Sequence, residues 1–185
     1  MPALRGGLRQ HGLSLIELLL FVAVVGIALS AMLRVFVTAT AASADPVIRR
    51  QQLAIAESLL REIELMPFTW CDPTDPAVDT AANAAGCAQP ENSGPEAGQT
   101  RYGPGSFFNH VNDYAGFSMS GIRDITNTAV AGLASYSAAV AVEPTSFEGI
   151  PAADALRITV SVTAPDGSTI SLQGWRTRYA PNAAD

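Results

Sequence analysis

The sequence predicts an α+β fold in which a long N-terminal helix precedes an antiparallel β-sheet. Three observations lead to this fold class. An uncharged apolar run fills residues 18–33, an amphipathic helical pattern follows it, and the last third of the 185-residue chain alternates apolar and polar side chains as strands do. The order of these patterns indicates a helix first and a sheet last.

The first twelve residues form a basic segment. It carries Arg5 and Arg9 but no acid, and it ends in Gly12 directly before the apolar run. An ordinary secretory signal has its small-residue cleavage site after the apolar segment, whereas the small residue here lies before it. We therefore expect residues 1–12 to be a leader peptide whose removal leaves the hydrophobic helix on the mature protein.

Residues 13–37 are predicted to form a transmembrane helix. The 21 residues 13–33, at 1.5 Å each, are enough to cross a hydrocarbon core of about 30 Å. After Glu17 the only polar side chain up to residue 33 is Ser30. An ionised carboxylate at the edge of such a run is costly unless it is paired, so Glu17 is expected to have a partner or a function.

This N-terminal pattern resembles that of the type IV pilin and pseudopilin family. In that family the leader is removed after a glycine, the new N-terminal residue is methylated and the fifth mature residue is glutamate. Counted from Leu13, that residue is Glu17. The resemblance covers about the first third of the chain, and it departs from many members in having Leu13 and Ser14 where they have phenylalanine or methionine and then threonine.

The resemblance implies both a processing site and partners. A prepilin peptidase/N-methyltransferase would cut between Gly12 and Leu13 and methylate Leu13, and Glu17 would act in assembly with other pilin subunits. The protein would cross the bacterial inner membrane once, hold its C-terminal domain in the periplasm, and then enter a pilus or pseudopilus. The alternative is a plain signal anchor in which Glu17 is a tolerated polar residue near the membrane interface.

Residues 38–66 are predicted to continue the helix with one apolar face. Pro46 either kinks a single helix or begins a second one capped by Asp45, and Pro67 is expected to end it. The resemblance implies one extended helix whose C-terminal half packs on an antiparallel sheet. Apolar side chains recur at helical spacings, and charged side chains fall on the opposite face. The apolar set is Ile48, Ile55, Leu59, Ile63 and Met66, and the charged set is Arg50, Glu57, Arg61 and Glu64.

Residues 67–185 are predicted to form the extracytoplasmic loop and sheet domain. The chain from 68 to 105 is rich in proline, alanine and glycine and reads as a long loop. It contains the two cysteines, Cys71 and Cys87, for which a disulfide is expected after export to an oxidising compartment. Zinc binding by these cysteines is disfavoured, because His11 lies in the leader and His110 is the single histidine elsewhere.

A stretch rich in aromatic and amide residues, 107–117, has two interpretations. The first is a calcium-binding loop, as in some pseudopilins, but the stretch has only one carboxylate. The second and favoured one is an aromatic anchor to the sheet with local backbone hydrogen bonds. The calcium candidates are Asn109, Asn112 and Asp113, and the anchors are Phe107, Val111, Tyr114 and Phe117. Similar stretches occur in minor pilins of the mannose-sensitive haemagglutinin pilus.

The last third is predicted to be sheet. Ser135 to Val142 is a candidate strand, and residues 156–163 alternate strictly between apolar and polar side chains. The turn residues 165–167 separate that strand from a partner over 168–179, which together predict a hairpin.

The composition favours a structural subunit over an enzyme or a nucleic-acid-binding protein. With 17 acidic and 11 basic side chains and a net charge of −6, direct nucleic-acid binding is not expected. No catalytic motif, cofactor motif or metal motif is recognised, so none of these is predicted. The expected function is a minor pilin of a type IV pilus like the mannose-sensitive haemagglutinin pilus. The alternatives are a type II secretion pseudopilin and, from another class, a membrane-anchored periplasmic enzyme or binding protein.

Overall fold

The computed structural model describes residues 14–103 and 105–183, apart from the side chains of 38–45. It has the mixed α+β composition that the sequence predicts, with a helix first and an antiparallel sheet last. The chain divides into two compact units, Met1–Val47 and Ile48–Asp185. Gly12 and Leu13, between which cleavage is expected, lie outside the described residues.

The helix, α1, spans Leu15–Glu64. It begins where the backbone N–H of Leu18 donates to the carbonyl of Ser14 at 3.1 Å, and Glu17 in its first turn suits the positive end of the helix dipole. Pro46 lies inside α1, so no second helix begins there. In the first unit α1 provides the segment Leu15–Val37, which is long and apolar enough to cross a membrane.

In the second unit α1 has one buried face, as its periodicity predicts. Ile55, Leu59 and Ile63 are at most 8% exposed, whereas Glu57 and Arg61 face solvent. The helix ends at Glu64, just before Pro67, and the last N–H groups bond to carbonyls of the final turn. The buried stripe therefore packs against the rest of this unit.

The described strands are β1 (Gln99–Thr100), β2 (Ser106–Phe107), β3 (Ser118–Ser120), β4 (Ser137–Pro144), β5 (Ala155–Thr163) and β6 (Thr169–Thr177). The last four form an antiparallel sheet in the order β3-β4-β5-β6, and the two-residue strands β1 and β2 pair in parallel. Along β5 the side chains alternate as predicted, with Val160 buried between Val140 of β4 and Leu172 of β6.

The core of the second unit lies between α1 and the sheet. Gln52 is 1% exposed, and its side-chain Nε2 donates to the carbonyls of Val162 at 3.1 Å and Ser168 at 2.8 Å. This buried amide satisfies two carbonyls at the β5–β6 turn. Farther along, a side chain at Gly174 would bring its Cβ within 3.0 Å of Leu60 Cδ1. Glycine on β6 thus permits close approach of the helix.

One aromatic anchor was predicted wrongly. Phe107 is 50% exposed, and its ring lies over the backbone of Gly103, where a Cβ would be 2.2 Å from Cζ. Its neighbour Phe108 packs in the core instead, with its ring edge-on to Tyr114 at 4.9 Å. Val111 and Tyr114 are buried as predicted, so the aromatic stretch anchors this part of the chain through a shifted set of residues.

Candidate functional site

The segment Leu15–Val37 is the first functional feature. None of its most apolar 18-residue window is buried within the chain. Ser30, its internal polar residue, donates its hydroxyl to the carbonyl of Gly26 at 2.5 Å. The hydroxyl is therefore satisfied within the helix and adds little polarity to the surface. The length and apolar surface of this segment are sufficient for it to cross a bilayer.

Glu17 is the acidic residue at the start of this surface. It is exposed, and no described residue forms an ion pair or hydrogen bond with its carboxylate. In the first turn it lies where a helix favours negative charge. The structure thus places Glu17 where a cation supplied from outside the described residues can reach it.

A second feature lies in the proline-rich segment after α1. The sulfur atoms of Cys71 and Cys87 are bonded, closing a loop of sequence separation 16; this is the pair that the sequence predicts. Beside the disulfide, the backbone forms an antiparallel bridge between Cys71 and Pro90. The N–H of Asp72 donates to the carbonyl of Gln89 at 3.1 Å, and the N–H of Glu91 donates to that of Trp70 at 3.3 Å.

This backbone pairing brings three acids together. Carboxylate oxygens of Asp72, Glu91 and Glu96 all lie within 4.8 Å of one another; we call these three residues the acidic cluster. Asp72 and Glu96 also line a cavity of about 360 Å³ with Gln99 and Asn109. The cluster therefore lies between a buried backbone bridge and a space large enough for solvent.

Glu91 is the most enclosed acid of the cluster. Its side chain is 3% exposed, and its Oε1 lies 3.0 Å from Nδ1 of His110. The Nδ1–H of the neutral His110 ring donates to Oε1, whereas Oε2 accepts no hydrogen bond from any described residue, which is unusual for a buried carboxylate oxygen. Burial, together with repulsion from Glu96 and Asp72, raises the pKa of Glu91 to about 8. The enclosed position and the neighbouring acids therefore disfavour a third ionised carboxylate here.

His110 and Asp113 extend this acidic neighbourhood. His110 is fully buried, and its Nε2 accepts a hydrogen bond from the N–H of Thr69 at 3.0 Å. Burial lowers the pKa of His110 to about 4, so the ring is neutral at neutral pH and supplies no charge to Glu91. Asp113 Oδ2 accepts the N–H groups of Asn109 and His110, while burial raises its pKa to about 7.

The structure does not bring the calcium candidates of the aromatic stretch, Asn109, Asn112 and Asp113, together as a set of ligands. Asp113 uses Oδ2 to hold the backbone of the turn at 109–113, and Asn109 and Asn112 are not members of the acidic cluster. The residues that do converge were not singled out from the sequence. Asp72 beside Cys71 was the available signal, because a disulfide fixes its neighbours in space.

A separate polar network ties α1 to the loops of the second unit. Glu62 accepts two hydrogen bonds from Arg101, both 2.7 Å long, and one from the Tyr114 hydroxyl at 2.7 Å. Arg101 is 6% exposed and also donates to the carbonyl of Arg123 at 3.1 Å. Because its charges and hydrogen bonds are satisfied within the second unit, this ion pair stabilises the fold and is not a candidate binding site.

Comparison with known proteins gives no match: no protein-family model, curated protein or solved structure matches this chain.

Proposed function

We propose that this chain is a minor pilin or pilin-like subunit, anchored in the bacterial inner membrane, processed by a prepilin peptidase and assembled into a type IV pilus of the mannose-sensitive haemagglutinin kind. The observation that carries the proposal is the exposed apolar segment Leu15–Val37 with its single carboxylate in the first turn. The N-terminal resemblance through Gly12, Leu13 and Glu17 agrees with it.

The second unit has no need of this apolar segment. Its own core is closed between residues 48–64 of α1 and the four-stranded sheet, with Ile63, Ile158 and Val160 fully buried. The core residues that the structure describes all belong to the chain from Ile48 onward. A chain that has both a domain with its own core and an apolar helix is suited to burying the helix elsewhere, first in lipid and then among the helices of other subunits.

Glu17 gives such assembly its selectivity. Cleavage after Gly12 creates an amine at Leu13, and in a staggered filament the carboxylate of one subunit meets the amine of its neighbour. A buried charge left without its partner costs about 3–5 kcal/mol, by analogy with broken buried ion pairs. Apolar helix packing discriminates less, because lipid and helix surfaces are similarly apolar. Glu17 would therefore select the register in which a subunit docks.

The test is the Glu17→Ala variant. We expect membrane insertion and leader removal to remain and incorporation into filaments to fall strongly, measured as the ratio of filament-bound to membrane-bound protein. Ser30→Ala is the matched control, because it removes an uncharged polar side chain from the same apolar segment, and the Ser30 hydroxyl donates to carbonyls of its own helix. An unchanged ratio for Glu17→Ala would make Glu17 a tolerated interfacial residue.

Processing separates the proposal from a simple membrane anchor. N-terminal sequencing of the filament-associated protein should begin at Leu13, and replacing Gly12 by a bulky residue should leave full-length precursor. Protein that retains Met1 or Pro2 would contradict the proposal and favour an anchored periplasmic enzyme or binding protein. Cross-linking to identified partner subunits separates a pilus from a type II secretion pseudopilus.

A further inference from the structure

We propose that the acidic cluster, Asp72, Glu91 and Glu96, binds one calcium ion that fixes the segment following α1. This inference is independent of pilus assembly, because it concerns residues of the second unit alone. Two separate observations lead to it. The first is the convergence of three carboxylates within 4.8 Å, and the second is a Glu91 side chain, 3% exposed, whose Oε2 accepts no hydrogen bond from the described residues.

The spacing of the oxygens suits calcium. Ca²⁺ binds oxygens at about 2.3–2.6 Å, so ligands on opposite sides of one ion are up to about 5 Å apart. Oxygens within 4.8 Å of one another can therefore share a single ion. The three acids are hard oxygen ligands, and the cluster includes no histidine nitrogen or thiolate, which zinc and softer metals prefer.

Further ligands are at hand. The cavity beside Asp72 and Glu96 has a volume of about 360 Å³, which gives room for the waters that complete a calcium shell of six to eight oxygens. Gln99 lines the same cavity, and its Oε1 is buried without a hydrogen bond among the described residues. A neutral amide oxygen of this kind is a common calcium ligand.

The neighbouring cations are committed to other groups. Arg178 is 3.3 Å from Asp154, donates to the carbonyl of Thr69, and lies over the rings of Phe68 and Trp70. Arg101 is held by Glu62 in the other network. Arg178 attracts the charge of Glu91 but forms no hydrogen bond with the cluster among the described residues. Three carboxylates this close repel one another when all are ionised, and a divalent cation removes that repulsion.

The ion would join parts of the chain that the disulfide does not. Asp72 follows Cys71 at one end of the disulfide loop, and Glu91 follows Pro90, which pairs with Cys71 in the backbone bridge. Glu96 belongs to the following turn, where the N–H of Gln99 donates to its carbonyl at 3.0 Å. Calcium would thus tie this turn to the disulfide loop, in a region with few buried apolar side chains.

The experiment measures calcium binding and thermal unfolding of the full chain in detergent micelles. Equilibrium dialysis of the chelator-treated protein should find one Ca²⁺ per chain. Adding Ca²⁺ at about 100 times its dissociation constant should raise the midpoint of unfolding by roughly 5 °C over the value in chelator. The same concentration of Mg²⁺ should have less effect, because Mg²⁺ demands a tighter octahedral shell and dehydrates reluctantly.

Matched variants assign the effect to the cluster. Glu91→Gln and Glu96→Gln should each abolish most of the calcium-dependent shift. Glu91→Gln should unfold no earlier than the wild type in chelator, since glutamine is a neutral side chain of the same shape as the buried glutamic acid. Asp79→Asn is the control, because Asp79 is an exposed acid of the same segment outside the cluster; it should respond like the wild type. If Glu91→Gln does not fold, the calcium-dependent shift of Glu96→Gln and the calcium uptake of the wild type in dialysis test the proposal.

Two results would overturn the proposal. One is a wild-type chain that takes up no Ca²⁺ in dialysis and unfolds at the same temperature with and without it. The other is a calcium shift that persists in both Glu91→Gln and Glu96→Gln, which would place the ion elsewhere. Loss of filament incorporation in Glu17→Ala bears on neither result, so the two proposals fail separately.

Discussion

Glu17 and Glu62 lie on the same helix and have opposite surroundings. Glu62 accepts three hydrogen bonds of 2.7 Å from Arg101 and Tyr114, all within its own unit. Glu17 is exposed, and its carboxylate forms no ion pair or hydrogen bond with a described residue. The two acids therefore differ in the source of a partner: Glu62 is paired within the second unit, whereas no described residue pairs with Glu17.

The apolar residues of the same helix repeat this contrast. Leu59 is 3% exposed and packs in the core, whereas Leu29 is 55% exposed on the apolar segment. Both are leucines with the same intrinsic preference for a helix. Helical propensity therefore does not distinguish the two regions. They differ in packing, because the second unit buries Leu59 in its core whereas Leu29 remains exposed.

The largest expected effect comes from truncating each leucine in turn. Leu59→Ala should lower the free energy of unfolding of the second unit by about 2–5 kcal/mol, because it removes buried contacts and leaves a cavity. Leu29→Ala should leave that value unchanged within about 0.5 kcal/mol. Denaturant unfolding of the full chain in micelles, followed by the fluorescence of Trp70 and Trp175, measures both. Equal losses for the two variants would mean that the apolar segment is part of the same folded core.

A somewhat smaller effect is expected from the disulfide. Replacing Cys71 and Cys87 together by alanine should cost on the order of 3 kcal/mol, since a loop of sequence separation 16 would no longer be closed in the unfolded state. The unfolding midpoint of the double variant should match that of the reduced wild type. Thiol labelling of denatured, unreduced protein provides the check: two reactive thiols in exported wild-type protein would contradict the pairing.

The smallest effect concerns the β5–β6 turn. Hydrogen bonds from the Ser168 hydroxyl and N–H lower the pKa of Asp166. A carboxylate whose folded pKa is lowered stabilises the fold above its unfolded pKa of about 3.9, and that contribution is lost as the pH falls through the folded pKa. Asp166→Ala should therefore lower the unfolding midpoint slightly at pH 7 and by less at pH 2. A loss that is the same at both pH values would assign the effect to turn geometry instead of charge.

Periodicity predicted the elements that bury one face over several turns or strands. The stripe through Ile55, Leu59 and Ile63 and the alternation along β5 each repeat often enough to specify a face. The three-residue strand β3 is too short for any period to appear, and β1 and β2 have two residues each. Where two aromatic residues are adjacent, the pattern likewise does not indicate which of them faces the core. For this reason Phe107 was predicted as an anchor, whereas Phe108 packs in the core.

The acidic cluster was beyond reach of the sequence for a different reason. Its members stand at 72, 91 and 96, a spacing that matches no cation-binding motif, and they meet through the disulfide and the bridge between Cys71 and Pro90. Sequence separation on this scale is closed only by tertiary structure. The disulfide itself was predictable, because a chain with two cysteines allows one intramolecular pairing.

The hydrogen bonds of Gln52 also set an order of events during synthesis. Its acceptors, Val162 and Ser168, follow it in the chain by 110 and 116 residues. At about 5–20 residues per second, the inner face of the helix waits roughly 5–20 s for the strands that cover it. During that interval the newly made chain exposes two apolar surfaces: the face of residues 48–64 that the sheet later covers, and the segment Leu15–Val37. The two surfaces become different only when β5 and β6 have been synthesised and cover the first of them.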